Sequence, residues 1–311
     1  MKKSLPGYLF ASPWLLGLLI FAAYPIVISL YYSMCDYSVL KEPVFIGFRN
    51  YTKLFSDENF RTALVNTLLF AVVSVPVGTV VNLALAMLLN AKIRGQAWFR
   101  TIFFIPSLVP AVPLSVLGLQ MFNSDHGMVN ALLGPVLGGI NNLTGGIHRI
   151  IPILPELALK APTWLNDKDW SKPVLVLLAV WTGGGAVVIY LAGLQEVPTH
   201  LYEAADLDGA TGWQKTKNVT IPLLSPVILF NVIMAIIGSM QYFTQAYVIY
   251  GGAGAPARST YFYAMMMYEN AFTFQKMGYA SAMGWILFIM IVILTYVSLK
   301  FSESRVHYEG G

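Results

Sequence analysis

Seven stretches of the 311-residue sequence contain no Asp, Glu, Lys or Arg: 4–35, 62–91, 101–124, 126–148, 173–195, 218–257 and 277–299. A helix needs about 20 predominantly apolar residues to cross about 30 Å of hydrocarbon, and every one of these stretches is long enough. Charged residues make up 11% of the chain, less than half the roughly 25% of a water-soluble domain, so much of the outer surface must face lipid. Segment 126–148 stands apart. Its six Gly, three Asn, two His and Pro135 interrupt the apolar blocks, and the composition predicts an extramembrane loop. Six spans remain. The expected fold class is all-α, a polytopic membrane protein with six transmembrane helices.

Residues 1–61 then hold the first helix and an outside loop. A membrane domain over 62–300 holds helices at about 63–91, 101–122, 173–194, 223–250 and 279–299, and 301–311 form a tail. Lys92, Arg94 and Arg100 lie in the link between the second and third helices with no acid beside them, and Lys2 and Lys3 precede the first. Short loops rich in Lys and Arg stay in the cytoplasm, which puts both termini and the 195–222 loop on that side. Pro106, Pro110 and Pro113 predict a bent or broken third span; Pro25, Pro76 and Pro226 predict kinks.

Several chemistries are excluded. No H-E-x-x-H, G-x-S-x-G or Walker A pattern occurs, and the four His are scattered through loops and tails without metal-ligand spacing. Cys35 is the single cysteine, so neither an intrachain disulfide nor a cysteine-based metal site can form. A net charge of +4 without a basic cluster offers nothing to nucleic acid. No ionisable residue lies near the middle of a span, where ion-coupled carriers place Asp, Glu, His or Arg. The deep polar groups are amides and hydroxyls: Asn66, Ser74, Asn82, Ser115, Thr182, Asn231, Ser239, Gln241, Tyr242 and Gln245. Such groups suit a neutral, hydroxyl-rich solute, although an intramembrane amide more often bonds a neighbouring helix than a solute.

The loop 195–222 carries the most information. Thr199 is a plausible N-cap, Glu203 falls near the first turn, and Gly209 suits the left-handed position that ends a helix, so about two helical turns are predicted here. Ala204 and Ala205 let a partner approach the backbone, and Glu203, Asp206 and Asp208 offer charge-assisted hydrogen bonds. A second short helix is expected around Trp213–Lys217. An ordinary amphipathic helix on the membrane surface accounts for the same residues.

Glu203-Ala204-Ala205, then Asp208-Gly209-Ala210, then Ile221-Pro222 resemble the "EAA" loop of ABC importer permeases. In that family the loop is the coupling helix, docked on a cytoplasmic ATPase. Further matches extend the resemblance to the maltose-type carbohydrate-uptake permeases, first-subunit type. They include Gly47 with Asn50-Tyr51, Asn66-Thr67, Gly127 with Asn130, Trp164-Leu165, and Gly278-Tyr279-Ala280-Ser281-Ala282. Gly251-Gly252-Ala253 replaces the family's G-G-P, and the 131–163 region is longer than usual.

The resemblance implies a type I ABC importer transmembrane fold and a transport subunit without its own ATPase site. It implies three kinds of partner: a cytoplasmic ABC ATPase dimer that binds ATP and Mg, a second permease subunit, and an extracytoplasmic solute-binding protein. No cofactor is expected on this chain. The implied location is a bacterial or archaeal cell membrane. Glu203, Ala204, Ala205, Asp208, Gly209, Ala210 and Pro222 would couple to the ATPase. Gly183, Ser239 and Tyr242, with Thr182, Gln241 and Gln245, would line a sugar pathway. A secondary carrier or facilitator for a neutral polyhydroxyl solute is the alternative from the composition alone.

Overall fold

The computed structural model describes residues 5–91, 94–150 and 160–302, with side chains over 10–91, 94–144 and 160–302. Lys2, Lys3 and Lys92, which carry part of the charge argument for topology, lie outside the described residues, as does most of the 301–311 tail. Among the described residues four helices are long and apolar enough to cross a membrane: Phe10–Ser33, Glu58–Asn90, Ser225–Tyr250 and Met277–Ser302, hereafter spans one, two, five and six. Two bent pairs, Gln96–Leu108 with Ala111–Met121 and Lys168–Trp181 with Gly184–Glu196, make spans three and four when each pair is counted once.

Proline chemistry explains the break in span three. Pro110 lacks a backbone N–H and forces its predecessor out of the helical region, and Val109 is extended, at φ −74° and ψ 126°. The two halves meet at 102°. Pro226 opens the helix Ser225–Met240 within its first turn, where no N–H is needed, and Pro76 is carried inside an unbroken Glu58–Asn90. Span four bends by 46° at Thr182-Gly183, a break the sequence reading did not anticipate.

The chain forms two compact units. The first comprises residues up to Arg61 with Ala264–Val292. It contains an antiparallel hairpin, β1 (Cys35–Ser38) and β2 (Lys41–Phe45), a feature absent from the all-helical expectation. Asn50, 8% exposed, donates from Nδ2 to the carbonyls of Ser33 and Cys35, both at 2.9 Å, satisfying backbone groups where span one ends. Tyr51 shares a 2.7 Å hydrogen bond with the Ser33 hydroxyl, and the Tyr279 hydroxyl donates to Asp57 Oδ2 at 3.1 Å. Gly278 lies so close to the Cys35 carbonyl that no Cβ could be placed there. Cys35 itself is buried.

The second unit comprises Thr62–Tyr263 and residues from Ile293 onward. Asn66 Nδ2 donates to the carbonyls of Arg258 and Tyr261 at 2.8 and 3.1 Å, and the Thr67 hydroxyl accepts from the Tyr263 N–H at 2.9 Å. These two side chains fasten the segment after span five to span two. One core gathers Ala86 and Leu89 of span two, Val187, Tyr190, Leu191 and Leu194 of span four, and Leu224 just before span five.

Segment 126–148 corrects the loop expectation: Met128–Ile150 is a helix of 23 residues. Gly and Asn lower helix propensity by only about 1 kcal/mol each or less, and a regular apolar periodicity outweighs that. The helix is not among the stretches apolar enough to span. Its start is pinned by Asn130, whose Nδ2 donates to the Ser124 carbonyl at 2.9 Å and whose Oδ1 accepts from Trp164 Nε1 at 2.6 Å.

Candidate functional site

Spans two, four and five enclose a cavity of about 440 Å³. Thr182, Gly183, Ser239, Tyr242 and Gln245, five of the six residues proposed from sequence for a pathway, line it, together with Ser74, Asn82 and Asn231. Gln241 does not. The helix Ser225–Met240 ends there, and the Gln241 N–H caps it through the Ile237 carbonyl at 3.2 Å, turning the side chain to an exposed face. Its neighbour Tyr242 turns inward, 9% exposed, its ring 4.4 Å from that of Phe70 and 5.8 Å from that of Phe262.

Among the described residues the lining carries no Asp, Glu, Lys, Arg or His. Thr182 and Ser239 donate their hydroxyls to carbonyls of their own turn, at 3.1 and 2.9 Å, which leaves oxygen lone pairs facing the cavity as acceptors. Asn231 Nδ2 is tied to the Val227 carbonyl at 2.9 Å. Three buried polar atoms of the lining, Asn82 Oδ1 and the Tyr190 and Tyr242 hydroxyls, have no hydrogen-bond partner among the described residues. Burying such groups unpaired costs about 1–3 kcal/mol each, so their presence points to a polar occupant.

Asn82 reaches the cavity because of Gly183. A Cβ at position 183 would overlap the Asn82 carboxamide, so only glycine lets span two and the bend of span four approach this closely. Gly184 does the same for span three, where an added Cβ would stand 3.0 Å from the Phe103 carbonyl oxygen and 2.9 Å from Ser107 Oγ. Sequence reading recognised Asn82 as a deep amide but gave it no place in the pathway; its pairing with a glycine 101 positions away leaves no local signal.

The second cluster is the loop between spans four and five. The helix occupies Thr199–Leu207 and buries none of its residues. Pro198, not Thr199, is the N-cap, and no side-chain cap forms; the fixed φ of Pro198, −63°, starts the helix at Thr199, one residue earlier than a Thr199 N-cap would. At the other end Gly209 adopts φ +75°, its N–H bonded to the Asp206 carbonyl at 3.1 Å, and the Ala210 N–H bonds the Ala205 carbonyl at 2.9 Å. This is a Schellman ending, which only a residue free to adopt left-handed φ completes without strain.

Glu203 and Asp208 are exposed, but Asp206 is engaged within the chain, 2.7 Å from Lys215 Nζ. Thr211 and Gln214 form a capping box that opens the next short helix, Gly212–Lys215, which passes through a π-turn, Thr216–Thr220, into Ile221–Leu223 with Pro222 in its first turn. Leu207 and Trp213 stand out, 91% and 72% exposed. The element is nevertheless connected inward: the Tyr202 hydroxyl bonds Thr220 Oγ1 at 2.9 Å, and its ring packs on the core that contains Tyr190. Tyr190 and Ala186 in turn line the cavity.

Broken apolar helices around an uncharged polar cavity define the class: a multi-pass helical membrane protein. The chain belongs to the family described as binding-protein-dependent transport system inner membrane component, whose profile matches residues 74–308, and it is a permease subunit of the ABC importer kind. It is 34% identical over 311 residues to the probable ABC transporter permease protein YesP of Bacillus subtilis (strain 168), covering 99% of this chain and 94% of that one. It is 34% identical over 306 residues to the lactose transport system permease protein LacF of Rhizobium radiobacter, covering 96% and 94%. The fold matches that of a chain in a bacterial ABC transporter involved in the import of the acidic polysaccharide alginate, with a TM-score of 0.79 at 21% identity and 98% of both chains covered.

Proposed function

We propose that this chain, with a second permease subunit, forms the translocation pathway of an ATP-driven importer for a sugar or oligosaccharide handed over by an extracytoplasmic binding protein. Thr199–Gly209 is the lever on which a cytoplasmic ATPase dimer acts, and ATP and Mg bind on that dimer. Both termini and this lever lie in the cytoplasm of a bacterial or archaeal cell. The observation that carries the reading is a physical continuity. Tyr202 of the exposed helix packs on the same core as Tyr190, and Tyr190 lines the cavity, so a push on the helix has a packed route to the solute.

The chemistry of the cavity supports a neutral polyol: hydroxyl and amide acceptors, three unpartnered polar atoms and an aromatic face, without an ion. Relatives named for lactose and for arabinooligosaccharides support the same class.

The test is assembly and uptake with the partners co-expressed. Glu203→Lys and Gly209→Asp should leave membrane insertion intact while removing ATPase co-purification and solute uptake. Normal assembly and transport in both would remove the lever. Solute entry into liposomes containing this chain alone, without ATP, would establish a facilitator instead.

A further inference from the structure

The helix Met128–Ile150 has no part in the cavity or the lever, yet its pattern is ordered. Met128, Leu132, Val136, Ile140 and Leu143 recur every third or fourth residue and so share one side, and they are between 37% and 70% exposed. Asn130, Gly134, Gly138 and Asn141 occupy the opposite arc. Between His126 and His148 there is no charged residue.

The start of the helix is fixed relative to the spans. Asn130 and Trp164 hold it against the segment entering span four, and Trp164 is itself buried, 7% exposed. Asn123 and Ser124, just before the helix, line one hollow with Asn166 before span four and Tyr250 at the end of span five. The helix thus departs from the end of the bundle at which span three stops, span four begins and span five stops.

We infer that Met128–Ile150 lies in the plane of the membrane surface at that end of the bundle, with the Met128–Leu143 stripe covered by lipid acyl chains. The stripe is aliphatic, without the Trp, Tyr or Arg anchors that carry protein–protein interfaces. The opposite arc has amides and glycines but no charge, so nothing steers a soluble partner toward it. A strip of hydrocarbon beginning at the edge of the lipid-facing spans continues their surface. Because the helix bears no Lys or Arg over this stretch, its association needs no anionic headgroup, unlike most surface-lying helices.

The experiment uses the full chain with its partner subunits in phosphatidylcholine vesicles. Buried Cys35 is replaced by Ser, and single cysteines are spin-labelled at Leu132, Val136 and Leu143 on one arc and at Gly134 and Gly138 on the other. A Cβ at either glycine meets nothing within 4 Å, so both substitutions are tolerated. Labels at 132, 136 and 143 should be several-fold more accessible to oxygen, which partitions into lipid, than to a water-soluble nickel chelate. Labels at 134 and 138 should show the reverse ratio, and raised salt should change neither. Equal ratios on both arcs would overturn the inference. So would a stripe open to the chelate until the solute-binding protein is added, which would make it a protein-docking face.

Discussion

A methyl group at position 183 has nowhere to go except into the Asn82 amide. Gly183→Ala should therefore cost about 1–3 kcal/mol of packing at the bend and displace Asn82 from the cavity. We expect transport to fall about tenfold or more while membrane insertion stays normal, measured as uptake per inserted subunit. Asn82→Ala frees that space, so the double variant should transport better than the product of the two single effects predicts, the signature of direct coupling. Asn50→Ala removes two hydrogen bonds from buried carbonyls and should destabilise the first unit by about 1–3 kcal/mol, read as a lower melting temperature in detergent. Asn50 was legible because it sits in a short motif whose Gly47 adopts φ +61° and whose Tyr51 reaches Ser33. Gln241 and Tyr242 show the opposite case. They are adjacent and both polar, and the side each faces depends on where the helix before them stops.

At the scale of elements, legibility followed how local the cause is. The break in span three is written in Pro110, whose effect reaches one residue back. The end of the Thr199–Leu207 helix is written in Gly209. The bend of span four was not legible, because a glycine in an apolar run looks the same whether it bends a helix or merely packs closely; the contact with Asn82 decides. Met128–Ile150 was misjudged by counting Gly and Asn without following the spacing of the apolar residues between them.

For the proposed lever, the Tyr202–Thr220 hydrogen bond is the connection most open to test. Tyr202→Phe keeps the ring in the core and removes only the hydroxyl, so the ATPase should still co-purify while uptake per ATP hydrolysed falls several-fold. Lys215→Ala, which breaks an exposed ion pair worth about 1 kcal/mol or less, should leave both readouts nearly unchanged.

For the whole molecule, the absence of Asp, Glu, Lys, Arg and His from the cavity lining sets a limit on cargo. An ionised sugar acid would surrender its hydration without finding a counter-charge among the described lining residues, at a cost of several kcal/mol. Competition uptake should favour a neutral oligosaccharide over its uronic-acid counterpart by about tenfold or more. Comparable uptake of both would show that cations from elsewhere in the complex reach the solute. The lever has a consequence for the cell as well. In the proposed arrangement a copy made without its ATPase partner would display Leu207 and Trp213 as a greasy knob in water, the kind of surface that quality-control proteases recognise. Surplus copies should therefore be short-lived, and the number of finished importers should follow the scarcest component, however strongly this one is expressed.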